Sequence, residues 1–309
     1  MRVLTWGLTA AVCLLSAPGT AGAVRAEDRD GAPHRAGIVF GDGGTSSREA
    51  RESARRAVPL ERLAESDRRD VERILRNPTL YRRLPRETFT CDRELLEFSL
   101  EKPEVIVDLW RVLGISRLRL DRTGPGAWRM SDGWGTEGTL RVLHHERTAL
   151  GGTLLLHGKG GYKGPLAPQP LTGSCLVLVR HGPSGQGAEG SDRHAMQVDA
   201  YLDADGVGLE IVTRTLQPLV CRSSASNLHE ICQFMQALSD AAGENPEGVA
   251  ILGSRLTNVD PRDGRTFASL ARGVGHDASA VDPIAERKLP SKLAARWLPA
   301  RQLEAEQIR

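Results

Sequence analysis

Two carboxylates, Asp132 and Glu137, stand close together in the stretch WRMSDGWGTEGTL at residues 128–140, beside Trp128 and Trp134. Two kinds of chemistry can be drawn from it. Trp134 can stack on a ligand while Asp132 and Glu137 bind its polar groups, or the two acids can form a pair for proton transfer. The plainer reading is a β-turn: Ser131-Asp132-Gly133 is a turn signature, Gly135 and Gly138 loosen the chain around it, and Trp134 then packs partly over the end of a sheet. Should the fold enclose a pocket, this stretch is expected at its mouth. The candidate ligand-binding residues are then Trp128, Asp132, Trp134 and Glu137, with Met235 from a helix further along.

Histidine offers the next possibility. Six of the eight lie between positions 144 and 229: His144, His145, His157, His181, His194 and His229. His144 and His145 are adjacent, so on a strand they face opposite ways and serve one site only across a bulge. No short zinc spacing such as H-E-x-x-H is present, and no metal or other cofactor is expected. A serine nucleophile needs a strained turn of the G-x-S-x-G kind, and Thr172-Gly173-Ser174-Cys175 does not match it. Cys175 beside a histidine would make a thiol nucleophile, at some risk in an oxidising compartment. The glycine-rich run at residues 158–165 has amides and two lysines that suit an anion, but a flexible hairpin connection explains it more simply. GDGGTSS at residues 41–47 lacks the Lys-Ser/Thr ending of a phosphate loop and reads as linker.

These residues need elements to hold them. Leu60, Leu63, Ala64, Val71, Ile74 and Leu75 recur at helical spacing and predict a helix ending before Asn77-Pro78. A second helix is predicted over residues 92–101. A third starts at Pro103, suited to a first turn, and stops at Gly114. The period then falls from 3.6 to 2. Strands are predicted at 116–121, 139–146, 150–157, 171–180, 195–202 and 209–216, and the short connections make the sheet antiparallel. Residues 182–193 read as one long glycine-rich loop, and Asp203-Ala204-Asp205-Gly206 as a hairpin turn. Asn227 and Glu230 are in capping-box register for a helix whose stripe is Leu228, Ile231, Cys232, Met235, Leu238 and Ala242, and Gly243 ends it. Pro246 opens a further short helix.

The ends of the chain read differently. Arg2, an apolar core at residues 4–16 and small residues at Ala21-Gly22-Ala23 form the pattern of a secretory signal peptide, with cleavage near Ala23 or Ala26. The apolar core is too short to span a membrane, no later stretch is long enough, and the mature chain is expected to be exported, periplasmic or secreted. The expected divisions are residues 1–26 as signal peptide, 27–57 as a flexible arm, 58–257 as one α+β domain and 258–309 as a partly helical basic tail. A net charge of +2 argues against a nucleic-acid binder. Cys91, Cys175, Cys221 and Cys232 allow three pairings that spacing does not choose among. Cys232, on the helix stripe, reads as a buried free thiol. The sequence carries no signal for an oligomeric state.

In order, the elements are short helices, an antiparallel β-meander of about six to seven strands, and a long amphipathic C-terminal helix, an α+β fold. Over about residues 80–243 this order resembles the helix-grip arrangement of the START and polyketide-cyclase-like superfamily. The resemblance implies a curved sheet around the last helix, with an apolar cavity between them for a small molecule or lipid. Physics alone gives the packing, because a one-sided apolar sheet and a striped helix must pack. The gap between them is either a ligand cavity or, the commoner outcome for a domain of this size, filled by Trp110, Trp128 and leucine side chains. The leading functional reading is non-enzymatic binding of an apolar small molecule or lipid. The alternatives are an exported hydrolase-type enzyme using the acidic residues and a strand histidine, and a structural or interaction protein of the cell envelope.

Overall fold

Alternation along three strands sets the architecture. In the computed structural model, which describes residues 44–163, 171–186, 192–205, 207–274 and 293, the strands β6 (Gly151–Tyr162), β7 (Leu171–Gln186) and β8 (Asp192–Ala204) are apolar on both faces. Leu154, Leu156, Val177, Val179, Met196 and Val198 join one core, whereas Leu155, Leu176, Leu178 and Tyr201 join another. A sheet of this kind needs cover on both sides.

The sheet is antiparallel throughout. β3 (Arg119–Gly124), β4 (Ala127–Ser131) and β5 (Thr136–Thr148) continue it in sequence order from β6 to one edge. At the other edge β8 pairs with two short strands, β1 (Leu80–Arg83) and β2 (Glu87–Thr90), which the sequence reading did not separate from their surroundings. Register shifts interrupt β3–β4, β5–β6 and β7–β8, and such bulges bend strands.

The larger core lies between the sheet and α3 (Arg93–Glu101), α4 (Pro103–Val112), α5 (Val207–Glu244), α6 (Pro246–Arg255) and α7 (Pro261–Val274). Local signals fix the shorter helices. Asp92 caps α3 by accepting from the Leu95 amide at 2.8 Å, and Pro103 opens α4. The Asp92 amide donates to the Ser239 hydroxyl at 2.8 Å, tying the start of α3 to α5. Trp110 of α4 meets Phe234 of α5 edge to face at 5.8 Å, a pairing worth about 0.5–1.5 kcal/mol beyond area burial. Asp108 accepts from the Thr257 and Asn258 amides at 2.8 and 2.9 Å, fastening α4 to the chain after α6.

α1 (Arg48–Ala57) and α2 (Glu65–Arg76) cover the opposite face, with a 3-10 turn at Leu60–Arg62 between them. α1 occupies the last ten residues of the segment read as a flexible arm. Its small apolar residues Ala50 and Ala54 are buried, so little apolar surface was needed to dock it. The helix expected over residues 60–75 is broken at Leu63.

Four local expectations are corrected. Residues 209–216, read as a strand and rich in β-branched residues, lie within α5, which also runs on through Pro218 and past Asn227; an eight-residue apolar window does not distinguish strand from buried helix. Asp203-Ala204-Asp205 therefore leads into α5, not into a hairpin, and Asn227 is not its cap. The long loop is shorter than expected, because residues 182–186 and 192–193 extend β7 and β8; residues 187–191 lie outside the described residues. The tail contributes α7, whose Phe267 is fully buried.

Candidate functional site

A cavity of about 120 Å³ lies between the sheet and its helices. The sheet supplies Leu154, Leu156, Val177, Val179, Met196 and Val198, one residue in two along neighbouring strands. α3 supplies Leu96 and Leu100, α4 Ile106 and Trp110, and α5 Leu228, Ile231 and Met235. About 10–15 Å³ of such space admits one water molecule, so this cavity has room for a molecule larger than water. Its polar lining residues are Ser99, Ser224 and Asn227, and the Ser99 hydroxyl donates to the Leu95 carbonyl at 2.7 Å. Water gains little in such a space, whereas an apolar molecule gains by the surface it removes from water.

Of the residues singled out by sequence, Met235 lines this cavity. The other four lie elsewhere. Trp128 is buried in the larger core, and the adjacent Glu104 carboxylate pairs with Arg122 at 3.3 Å. The Asp132 carboxylate accepts from the Trp134 and Thr136 amides at 2.7 and 3.0 Å, so it closes its own turn. Gly133 and Gly135 take φ of 72° and 106°, the left-handed conformation that turn requires. Trp134 is 44% exposed and lies under the Arg117 guanidinium at 5.4 Å. Glu137 is exposed on β5 opposite Gly161. The stretch at residues 128–140 is thus a β-turn between strands, and these residues do not converge with Met235.

The histidines divide between the faces. His144 is paired with Leu155 and His145 with Leu154, so the two point to opposite sides of the sheet. His157 lies on the α1–α2 side, where burial pushes its imidazole down to about 4. His181, on the helical side, is pushed down to about 4 by burial and by the neighbouring His145 and His194. The His194 ring approaches the Cys91 carbonyl at 3.0 Å, and exposed His229 pairs with Glu87 at 3.0 Å. Among the described residues no three His, Cys, Asp or Glu side chains are grouped to hold a metal ion.

Cys91, Cys175 and Cys232 are buried free thiols, and Cys221 lies outside the described side chains. Burial pushes the Cys175 thiol up to about 12, which removes the thiolate that a nucleophile requires.

Two constellations escaped the sequence reading. On the α1–α2 face the fully buried Asp199 accepts from Tyr81 at 2.7 Å, from Arg83 at 2.8 Å and from Arg180 at 2.7 Å, while Arg83 also reaches the Ala50 carbonyl at 3.3 Å. On the helical face Glu97 of α3 faces His181 of β7. Alternating polar residues in β7 and β8 were the available signal, but on a strand they read as solvent-facing. No family model, curated protein or solved structure matches this chain.

Proposed function

We propose that this protein binds an apolar small molecule or lipid in the cavity between its sheet and α5. The apolar lining of that cavity carries the reading: a domain whose interior served only stability would gain by filling the space. The element order supports it as well. One strand region, two helices, a six-strand meander and a long helix, with the first strands paired to the last, agree with the helix-grip resemblance. The signal-like N-terminus supports export, which puts the bound molecule in the envelope or outside the cell. Among the described residues no helix is long and apolar enough to cross a membrane.

Native mass spectrometry of the full chain purified from its own host tests the proposal. The expected result is a co-purifying molecule of defined mass, whose occupancy falls in Leu100→Trp, where an indole enters the cavity. A bare mass in every preparation, with no uptake of ten-carbon alkyl compounds added afterwards, would refute the proposal and favour an interaction protein of the envelope.

A further inference from the structure

The apolar cavity has a polar neighbour. A second cavity, of about 70 Å³, includes Arg93, Glu97, His181 and His194 in its lining. Its position follows from the register of the first. Val179 and His181 are two residues apart on one face of β7, as are Met196 and His194 on β8. One such step is about 6.6 Å. On α3 the two linings interleave on neighbouring faces, Leu96 and Leu100 for one, Arg93 and Glu97 for the other. The two cavities are neighbours along the strands.

His181 is 1% exposed and its ring is fixed in place by a glycine. A Cβ on Gly152 would stand 2.4 Å from its Nε2, so the imidazole occupies the room that this residue leaves. The opposite nitrogen, Nδ1, is then turned toward Glu97, 3.8 Å from Oε1. That separation is too long for a direct hydrogen bond, but it suits a single oxygen about 2.8 Å from each atom. A neutral imidazole has one N–H and one lone pair, and a carboxylate only accepts. With the histidine proton on Nδ1, a bridging oxygen accepts from histidine and donates to glutamate, which a hydroxyl or a water molecule does. Glu97 Oε2 is also buried and has no hydrogen-bond partner among the described residues, and buried polar atoms rarely stay so.

Of the nearby cations, Arg147 stands 4.0 Å from Glu97 Oε2, beyond hydrogen-bond reach, and 3.6 Å from Glu101, and the other two are held by hydrogen bonds elsewhere. Arg93 donates to the Thr148 carbonyl at 3.2 Å and Arg193 to the Thr88 hydroxyl at 3.3 Å. An acidic head group would place a second negative charge beside Glu97 and Asp192, and a hydroxyl brings no charge.

We infer that the polar cavity receives a hydroxyl group at the end of the bound molecule, its oxygen bridging Glu97 and His181. This rests on the apolar cavity being the binding site, and it narrows the ligand class to apolar molecules ending in a hydroxyl. Calorimetric titration of the full chain with 1-decanol, methyl decyl ether and decanoate tests it. The ether can accept but not donate. Decanol should bind about ten- to a hundredfold more tightly than the ether, the usual effect of a hydrogen bond to a charged group. Glu97→Leu should remove that preference, and Glu97→Gln, whose amide oxygen still accepts, should keep most of it. Equal binding of alcohol and ether, tighter binding of decanoate, or a preference that survives Glu97→Leu would overturn the hydroxyl assignment. In those cases a loss of all binding in Leu100→Trp would leave the apolar cavity standing as the site. Failure of every compound to bind the unaltered protein would overturn both readings.

Discussion

Lowering the pH from 7 to 5 is expected to cost this fold about 4 kcal/mol through two histidines. His157 and His181 are buried on opposite faces of the sheet, and burial sets both imidazoles near 4 in the folded protein. In the unfolded chain the same groups titrate near 6.5. The folded value is the lower one, so between the two the unfolded state binds more protons. Stability is therefore full above about 6.5 and falls as the pH drops toward 4. At pH 5 each histidine has given up about 2 kcal/mol relative to pH 7, from 1.36 kcal/mol per unit of pKa. His145 and His194 are shifted the same way by burial and add to the loss. Burial raises Glu97, Glu104 and Asp240, which act in the opposite sense as the pH falls toward their titration range. Against a total of about 5–15 kcal/mol, the histidine contribution is large. Urea unfolding at the two pH values checks it: the midpoint should fall by between about 1 and 2 M at pH 5. His157→Gln and His181→Gln should each reduce the pH dependence by about half, whatever they do to stability at pH 7. A midpoint independent of pH, or a dependence that neither substitution diminishes, would refute the argument.

Asp199→Asn should destabilise the protein by about 3–5 kcal/mol, because it leaves Arg83 and Arg180 buried without their counter-charge. Denaturant unfolding measures this. The triple variant Asp199→Leu, Arg83→Met, Arg180→Met should recover most of the loss, since it removes the charges together. Phe267→Ala should cost about 3–5 kcal/mol in the same assay, as expected for a fully buried aromatic ring. A change within about 0.5 kcal/mol would mean that α7 is peripheral to the domain.

What the sequence made legible was local. Asp92 and Pro103 announce α3 and α4 within a few residues of their starts, and the stripe from Leu228 to Ala242 names the buried face of α5, Met235 included. The turn at Ser131-Asp132-Gly133 was equally plain, because the Asp132 carboxylate and its amide partners lie within four positions. Its distance from the cavity was not. That depends on the order of strands, which sets β3 and β4 toward one edge while the cavity lies over β6, β7 and β8 near the other. Trp128 and Trp134 looked like binding residues by type alone; one is core and the other is surface.

The same limit hid the charged groups that the fold brings together. Tyr81 and Arg83 reach Asp199 across more than a hundred positions, because β1 pairs with β8 and α1 closes over them. Read along β8, Gln197, Asp199 and Tyr201 form a polar alternation that suits a solvated face. In the fold that face is roofed by α1 and α2, so the same residues had to find partners inside. Covering the outer face has a consequence for function. With α1 and α2 on one side, the alternate residues of β6, β7 and β8 that face α5 line the apolar cavity and, one step along, His181 faces Glu97. The cavity is then a property of how two layers divide the sheet, which no single stretch of the sequence encodes.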